Sequence, residues 1–361
     1  MEVYPAHIRT EIQDGRSVDV VQTVEEHCRS AAEYAAGVLS DVNLEEVAYL
    51  SGLLHDCGKF TMRFSKYIWE AHKGKDVCRG SVNHTFAGCR LLLEHFHECG
   101  SFRGVSSELL AYAVGAHHGL FDCIDENSKS GFEHRMTKQN IDYQESITNF
   151  LKYCADWPEL ERRFEKANRQ LEPIYQKLTL LAKKNQDETG EELYFGIGQL
   201  ARLLLSAVIE GDRRDTAEFM MNIQQKDEEK ASRFMWEERL EYMENKLLEF
   251  PQDTEIRQAR SQISNLCRQA AERPEGIYRL NVPTGGGKTL SSLRYALAHA
   301  EKWGKQRIVF VTPLLTILEQ NASVIREYVG DDSIILEHHS NVVDTKETAK
   351  AKTFLCAVCY I

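Results

Sequence analysis

The sequence has no run of eighteen apolar residues, so composition offers no obvious membrane span. Its opening stretch, MEVYPAHIRTEIQDGRS, lacks the apolar core of a secretory signal. These two absences predict a cytoplasmic protein with no membrane partner. The ten cysteines follow no spacing pattern, which argues against a disulfide framework and for reduced thiols. Internal repeats and low-complexity tracts are absent. Positive charge is scarce, with 44 Lys and Arg against 55 Asp and Glu, a net charge of -11. That excludes coating nucleic acid with the whole surface. A local basic groove stays open, because phosphate contacts need only a few placed cations. At 361 residues the chain exceeds one ordinary core and implies two domains with a connector.

What the chain does contain, over residues 1–225, is a largely helical pattern. TVEEHCRSAAEYAAGVL places Val24, Cys28, Ala31, Ala32, Ala35 and Val38 at helical spacing. NLEEVAYLSGLLHDCGK predicts a helix with Asn43 as N-cap, Glu46 completing a capping box, and Leu44, Val47, Leu50 and Leu54 on one face. Further helices are predicted over HTFAGCRLLLEHF, SELLAYAVGAHH and GQLARLLLSAVIEGDRRDTAEF. The polar stretch from Phe121 to Ile141 reads as a loop at the mouth of the bundle.

Residues 226–272 read as a charged helical connector that packs through Trp236, Leu240, Met243 and Leu247. From 273 to 361 the period changes to strand, loop, helix, strand, helix, the start of a parallel α/β sheet. The expected order is a strand over GIYRLNV, a glycine loop, a helix over LSSLRYALAHAEKW, a strand over RIVFVTP, and a helix over LLTILEQNASVIREYV. The chain is expected to stop before that sheet is complete. The overall expectation is a mainly α protein: an all-helical domain, a helical connector and an incomplete α/β domain.

Candidate metal ligands recur along the helical half. They are His27, the pair His55 and Asp56, His84, the pair His117 and His118, and Asp212, with Asp215 as an alternative to Asp212. Most sit beside small residues that let helices approach closely. Imidazoles with carboxylates suit first-row divalent metals such as Mn, Fe, Co, Ni or Zn. A single histidine of this kind is more often a hydrogen-bonded core residue; the joint order is what favours ligation. His7, His72, His95, His97, His134 and His299 lack comparable context and are expected to be structural or exposed.

PTGGGKT, between a predicted strand and helix, has the setting of a phosphate loop. Thr284, Gly285, Gly286, Gly287, Lys288 and Thr289 would bind ATP, with Lys288 on the phosphates and Thr289 on Mg²⁺. Val282 stands where the strict motif has its first glycine. No DEAH-like acidic motif follows, and Cys356 and Cys359 form only a weak C-x-x-C.

The order H…HD-x-G-K…H…HH…D resembles the HD-superfamily metal phosphohydrolases. The double histidine and LLLSAVIEGDRRDTAEF resemble the HD nuclease domain of CRISPR-associated nuclease–helicases of type I systems, over roughly the first 225 residues. The resemblance implies one metal on His27, His55, Asp56 and Asp212, and a second on Asp56, His84, His117 and His118. Both would be divalent transition ions (Mn, Fe, Co or Ni). Lys59 would act with Asp56 in catalysis, as a charge clamp on the scissile phosphate. Gly211 departs from the alanine usual in that family. PTGGGKT resembles the superfamily 2 helicase variant of the phosphate loop. FVTPLLTILEQNA resembles the helicase segment that grips DNA, which implicates Thr312, Pro313, Gln320 and Asn321. LEHHSN, with His338 and His339, also resembles that family. RLNVPTGGGKTLSSLRYALAHA looks most like the type I-C branch.

The resemblance implies a monomeric endonuclease acting on single-stranded DNA, the displaced strand of an R-loop opened by crRNA-guided Cascade. Processive ATP-driven degradation is not expected of this chain. Two alternatives differ in class. An HD nucleotide phosphohydrolase would leave the helicase-like segment unexplained, and a non-catalytic Cascade-docking module would hold no divalent ion.

Overall fold

Asp14 and Gly15 adopt positive φ angles of 49° and 74°. Two successive positive values make a type I′ turn, the connection that matches the twist of a two-residue hairpin. The turn joins β1 (Pro5–Gln13) to β2 (Arg16–Thr23) in antiparallel register, with Ile12 opposite Ser17. The all-helical expectation for the first domain is therefore corrected at its N-terminus. The Asp-Gly signal between β-branched residues is present, but the mixed charge of the segment obscures it. The computed structural model describes residues 3–78, 80–121, 130–137, 142–223, 233–338 and 355–359.

The chain divides into two compact units, Met1–Gln225 and Lys226–Ile361. In the first, β2 leads directly into α1 (Val24–Leu39). Its N-cap Thr23 and Glu26 form a reciprocal capping box, a device that contributes about 1 kcal/mol. Then follow α2 (Glu45–Leu54), α3 (Met62–His72), α4 (Phe86–Phe96), α5 (Phe102–Ala116), α6 (Gly131–Met136), α7 (Tyr143–Tyr153), α8 (Trp157–Lys184) and α9 (Glu191–Met221). Their apolar faces enclose one core in which Leu50, Leu53, Leu54, Leu92, Leu110, Phe150 and Phe164 are buried.

Asn43 does not cap α2. It has φ 57° and closes the 3-10 turn Ser40–Val42, while Leu44 occupies the cap position without a side-chain bond. Gln170 of α8 instead accepts from the Glu46 and Val47 amides, at 3.0 and 3.3 Å. The Glu46 carboxylate goes to Arg163 and Lys166. A tertiary partner thus replaces the local cap. Within the segment expected to be a loop, residues 122–129 and 138–141 lie outside the described residues, and α6 forms between them. Among the described residues α9 alone is long and apolar enough by composition to cross a membrane. A core helix passes the same test, and Ala207, Val208 and Gly211 of α9 are buried inside the unit.

The second unit holds α10 (Arg233–Leu248), α11 (Glu255–Ala270), α12 (Lys288–Trp303) and α13 (Leu315–Val329). Among the described residues its parallel strands are β3 (Ile308–Thr312), β4 (Ile335–His338) and β5 (Leu355–Cys359), in the order β3-β5-β4. Trp236 and Met243 of α10 are fully buried against α12 and α13, with Leu240 beside them. The strand expected over residues 276–282 does not form: Ile277 is fully exposed, and Tyr278 and Leu280 are 41% and 40% exposed. A strand needs a paired neighbour, and among the described residues β3, β4 and β5 pair only with one another. The motif residue His339, and the rest of its segment up to 354, lie outside the described residues.

Candidate metal centre and phosphate loop

His55 is the C-cap of α2, a helix whose second half is buried all round. Asp56 follows as the N-cap of the 3-10 turn Cys57–Lys59. The helix therefore ends at the pair, and both side chains are fully buried. His27 comes from α1, His84 from the segment before α4, His117 and His118 from the end of α5, and Asp212 from α9. The structure brings all seven together. Two sets have ligand atoms mutually within 4.8 Å: His27, His55, Asp56 and Asp212, and Asp56, His84 and His118. His117 falls outside both sets by that measure, but its Nε2 lies 3.7 Å from Asp56 Oδ1.

The tautomers are set from behind. Nδ1 of His55 donates to Gly52 O at 2.6 Å, Nδ1 of His117 to Val114 O at 2.6 Å, and Nδ1 of His84 to Val82 O at 3.2 Å. Nδ1 of His27 donates to Asp215 Oδ2 at 2.5 Å, and Gln22 holds the same carboxylate oxygen at 2.9 Å. Each ring therefore turns Nε2 toward Asp56. This is the arrangement in which a second partner fixes a metal-ligating imidazole. His55 Nε2, Asp56 Oδ1 and His117 Nε2 are buried and make no acceptable hydrogen bond. Buried polar atoms without partners are costly, and three converging on one point fit a cation.

The charges agree. Burial raises the Asp56 pKa, but Lys59 and His55 outweigh it and hold the carboxylate well below its usual range. Burial lowers His27 and His55, yet their carboxylate neighbours push them up to about 9 and about 10. Divalent cations would replace those protons. Burial, joined by neighbouring cationic groups, drives His84 down to about 3 and His118 to about 4, which leaves neutral nitrogens 3.0 Å apart. Lys59 is buried, and its Nζ lies 2.6 Å from Asp56 Oδ2.

Geometry separates the two acids left open by the sequence. Asp212 Oδ1 lies 3.3 Å from His27 Nε2, on the ligand side, whereas Asp215 sits behind the ring at Nδ1. Asp212→Ala is expected to remove the site, and Asp215→Asn to weaken metal affinity about 10- to 100-fold. Calorimetric titration with Mn²⁺ checks this order, and a reversed order would make Asp215 the ligand. The unusual Gly211 also has a reason. A Cβ there would run into Ala31 O and sit 3.1 Å from Ala35 N, so α9 meets the α1 backbone where Asp212 must reach His27.

Sequence reasoning missed His7, which it left as structural or exposed. Its ring meets that of His27 edge-on at 4.8 Å. Its Nε2 is 3.2 Å from Thr216 Oγ1, and that hydroxyl is 3.5 Å from Asp212 Oδ1. Nothing local marks His7; the hairpin alone delivers it. The other set-aside histidines lie elsewhere: His72 on Asp19, His95 stacked on Trp157, His97 on Glu108, His134 exposed on α6 and His299 on Ala271 O.

In the second unit Gly285 and Gly287 have φ 80° and 82°, which favours glycine. A Cβ on Gly286 would strike Val282 and lie 3.0 Å from Pro283 O. Gly287 caps α12, so Lys288 and Thr289 open a helix whose free amides face the loop, a cradle suited to phosphate. Thr289 Oγ1 donates to Asn321 Oδ1 at 3.1 Å, so Asn321 faces the glycine loop. Gln320 and Pro313 are exposed and Thr312 is buried. Arg260 of α11, missed in the sequence, donates from Nε to Gly285 O at 2.8 Å.

Comparison with known proteins follows this division. The family model described as Cas3, HD domain, matches residues 17–201, which include every candidate ligand except Asp212 and its alternative Asp215. The model described as type III restriction enzyme, res subunit, matches residues 251–358. No curated protein matches the chain. Among solved structures, T. fusca Cas3 aligns over 94% of this chain at 15% identity and TM-score 0.38. Its ATP-bound form aligns over 96% with TM-score 0.43. The chain spans 42% of the length of T. fusca Cas3. With a model matched over more than half its length, the chain belongs to the family defined by the HD domain of Cas3.

Proposed function

We propose that this chain is a metal-dependent endonuclease that cuts single-stranded DNA in CRISPR interference. One observation carries the reading: four imidazoles held at Nδ1 aim Nε2 at a single buried carboxylate that has an unbonded oxygen. His27, His55, Asp56 and Asp212 would hold one transition metal, and Asp56, His84, His117 and His118 a second. When bound, such a pair supplies an acidified water as nucleophile and neutralises charge on the phosphate oxygens. The chain's own part is orientation. Gly52 and Val114 carbonyls and Asp215 fix the rings, and Lys59 fixes Asp56. The Lys59 ammonium, beside Asp56, would supply positive charge toward the scissile phosphate.

The DNA would be the strand displaced by crRNA-guided Cascade, in the cytoplasm, with the chain acting as a monomer. Thr284 to Thr289 would hold ATP with Mg²⁺, and Thr312, Pro313, Gln320 and Asn321 would lie along DNA. The sequence around the phosphate loop supports the type I-C branch. The test is circular single-stranded DNA incubated with the chain and Mn²⁺, Co²⁺ or Ni²⁺, without nucleotide. Cutting is expected with at least one of these metals and is expected to stop with EDTA. No cutting with any of the three overturns the reading.

A further inference from the structure

A groove of about 250 Å³ runs between α3 and the segment ending at Val82. Arg63, Lys66, Tyr67 and Glu70 supply its α3 wall. Its far wall adjoins the metal centre from behind His84, because Val82 O accepts from Nδ1 of that ring while Nε2 faces Asp56. Buried Phe64 packs between the groove tyrosine and the centre. Tyr67 lies 5.9 Å from Phe64, and Phe64 lies 5.1 Å from His84. Lys59 Nζ sits 5.4 Å from the Phe64 ring centroid.

Charge is arranged along this groove against the trend of the molecule, whose net charge is -11. Lys66 is exposed, and among the described residues it makes no ion pair. Arg63 reaches Asp142 at 3.4 Å in an exposed contact, a kind worth little and easily exchanged. The one acid on the wall, Glu70, is already met by Lys75 at 3.2 Å. Exchangeable cations beside a half-buried tyrosine suit a polyanion that also offers flat faces. Single-stranded nucleic acid has both features, with phosphates for the cations and bases for the ring.

We infer that this groove holds single-stranded DNA beside the metal centre. Arg63 and Lys66 take its phosphates, and a base stacks on Tyr67. The inference rests on the nuclease reading and adds the binding surface to it.

The experiment measures anisotropy of a short labelled oligothymidylate with the full chain in EDTA, across a range of salt. Arg63→Glu combined with Lys66→Glu is expected to weaken binding about tenfold or more. It should also flatten the slope of log K against log salt by about 1.4, two contacts at about 0.7 each. Tyr67→Ala should weaken binding about tenfold, and Tyr67→Phe, which keeps the stacking face, should not. All three variants should take up metal as the parent does, showing an intact centre. If the parent binds DNA and the charge-reversed variant matches its affinity and slope, the groove assignment is overturned while the nuclease reading stands. Equal weakening by Tyr67→Phe and Tyr67→Ala overturns the stacking assignment. Tighter binding to oligouridylate overturns the commitment to DNA. A parent that binds no oligonucleotide and cuts none with metal overturns both readings.

Discussion

Asp56→Asn is expected to cost the chain its metals and to slow DNA cutting by on the order of a thousandfold. Asparagine keeps the shape, so what is lost is charge and acceptor capacity. Oδ2 lies 3.2 Å from both His27 Nε2 and His55 Nε2 and 2.6 Å from Lys59 Nζ. Oδ1 lies 3.6 Å from His84 Nε2 and 3.7 Å from His117 Nε2, without a hydrogen bond. Among the described residues, Asp56 alone belongs to both ligand sets. The same change strips a buried ammonium of its partner, a loss of about 3–5 kcal/mol in comparable cases. The metal-free variant should therefore melt below the metal-free parent, which separates the Lys59 contribution from loss of metal. Three measurements decide it: metal content by mass spectrometry, melting in EDTA, and cutting with Mn²⁺. Wild-type metal content in the variant would show that Asp56 is not the shared ligand.

The sequence is most legible where chemistry is local. The adjacent His55 and Asp56 need no tertiary information to stand out at the end of an apolar helix, nor do His117 and His118. PTGGGKT is similarly plain, and two of its glycines, Gly285 and Gly287, take positive φ. Legibility fails where a distant partner decides the outcome. Gln170, more than 120 positions away, supplies the α2 cap expected of Asn43. Asp212 and Asp215 lie three apart on one helix, and only the orientation of His27 assigns them to opposite sides of its ring. Residues 276–282 have strand-like apolar content, but among the described residues no strand pairs with them. His7 carries no motif at all. Its place against His27 follows from a hairpin that the Asp14–Gly15 pair announces.

Gly58→Ala is expected to uncouple the second ligand set from the first. Gly58 occupies the HD-x-G-K turn, and a Cβ there would collide with His84 O and lie 2.7 Å from both C and Cα of His84. All three obstacles are backbone, so no side chain can swing away. Either the turn carrying Asp56 and Lys59 shifts, or the chain carrying His84 moves outward. Overpacking of this kind costs about 1–3 kcal/mol. Because His84 sits at the collision itself, that cost is paired with a displaced ligand. Metal content should fall from two ions toward one, with cutting much reduced and the His27 set still occupied. Gly37→Ala is the control. Gly37 lies in α1, is exposed, and has open space for 4 Å around the point where a Cβ would stand. There the same methyl should stabilise the protein by roughly 0.5–1 kcal/mol and leave metal content alone. The two substitutions add one identical group and are expected to move melting temperature in opposite directions. If Gly58→Ala keeps two metals and melts with the parent, the close approach of the His84 backbone to the HD turn is not what holds the second set in place.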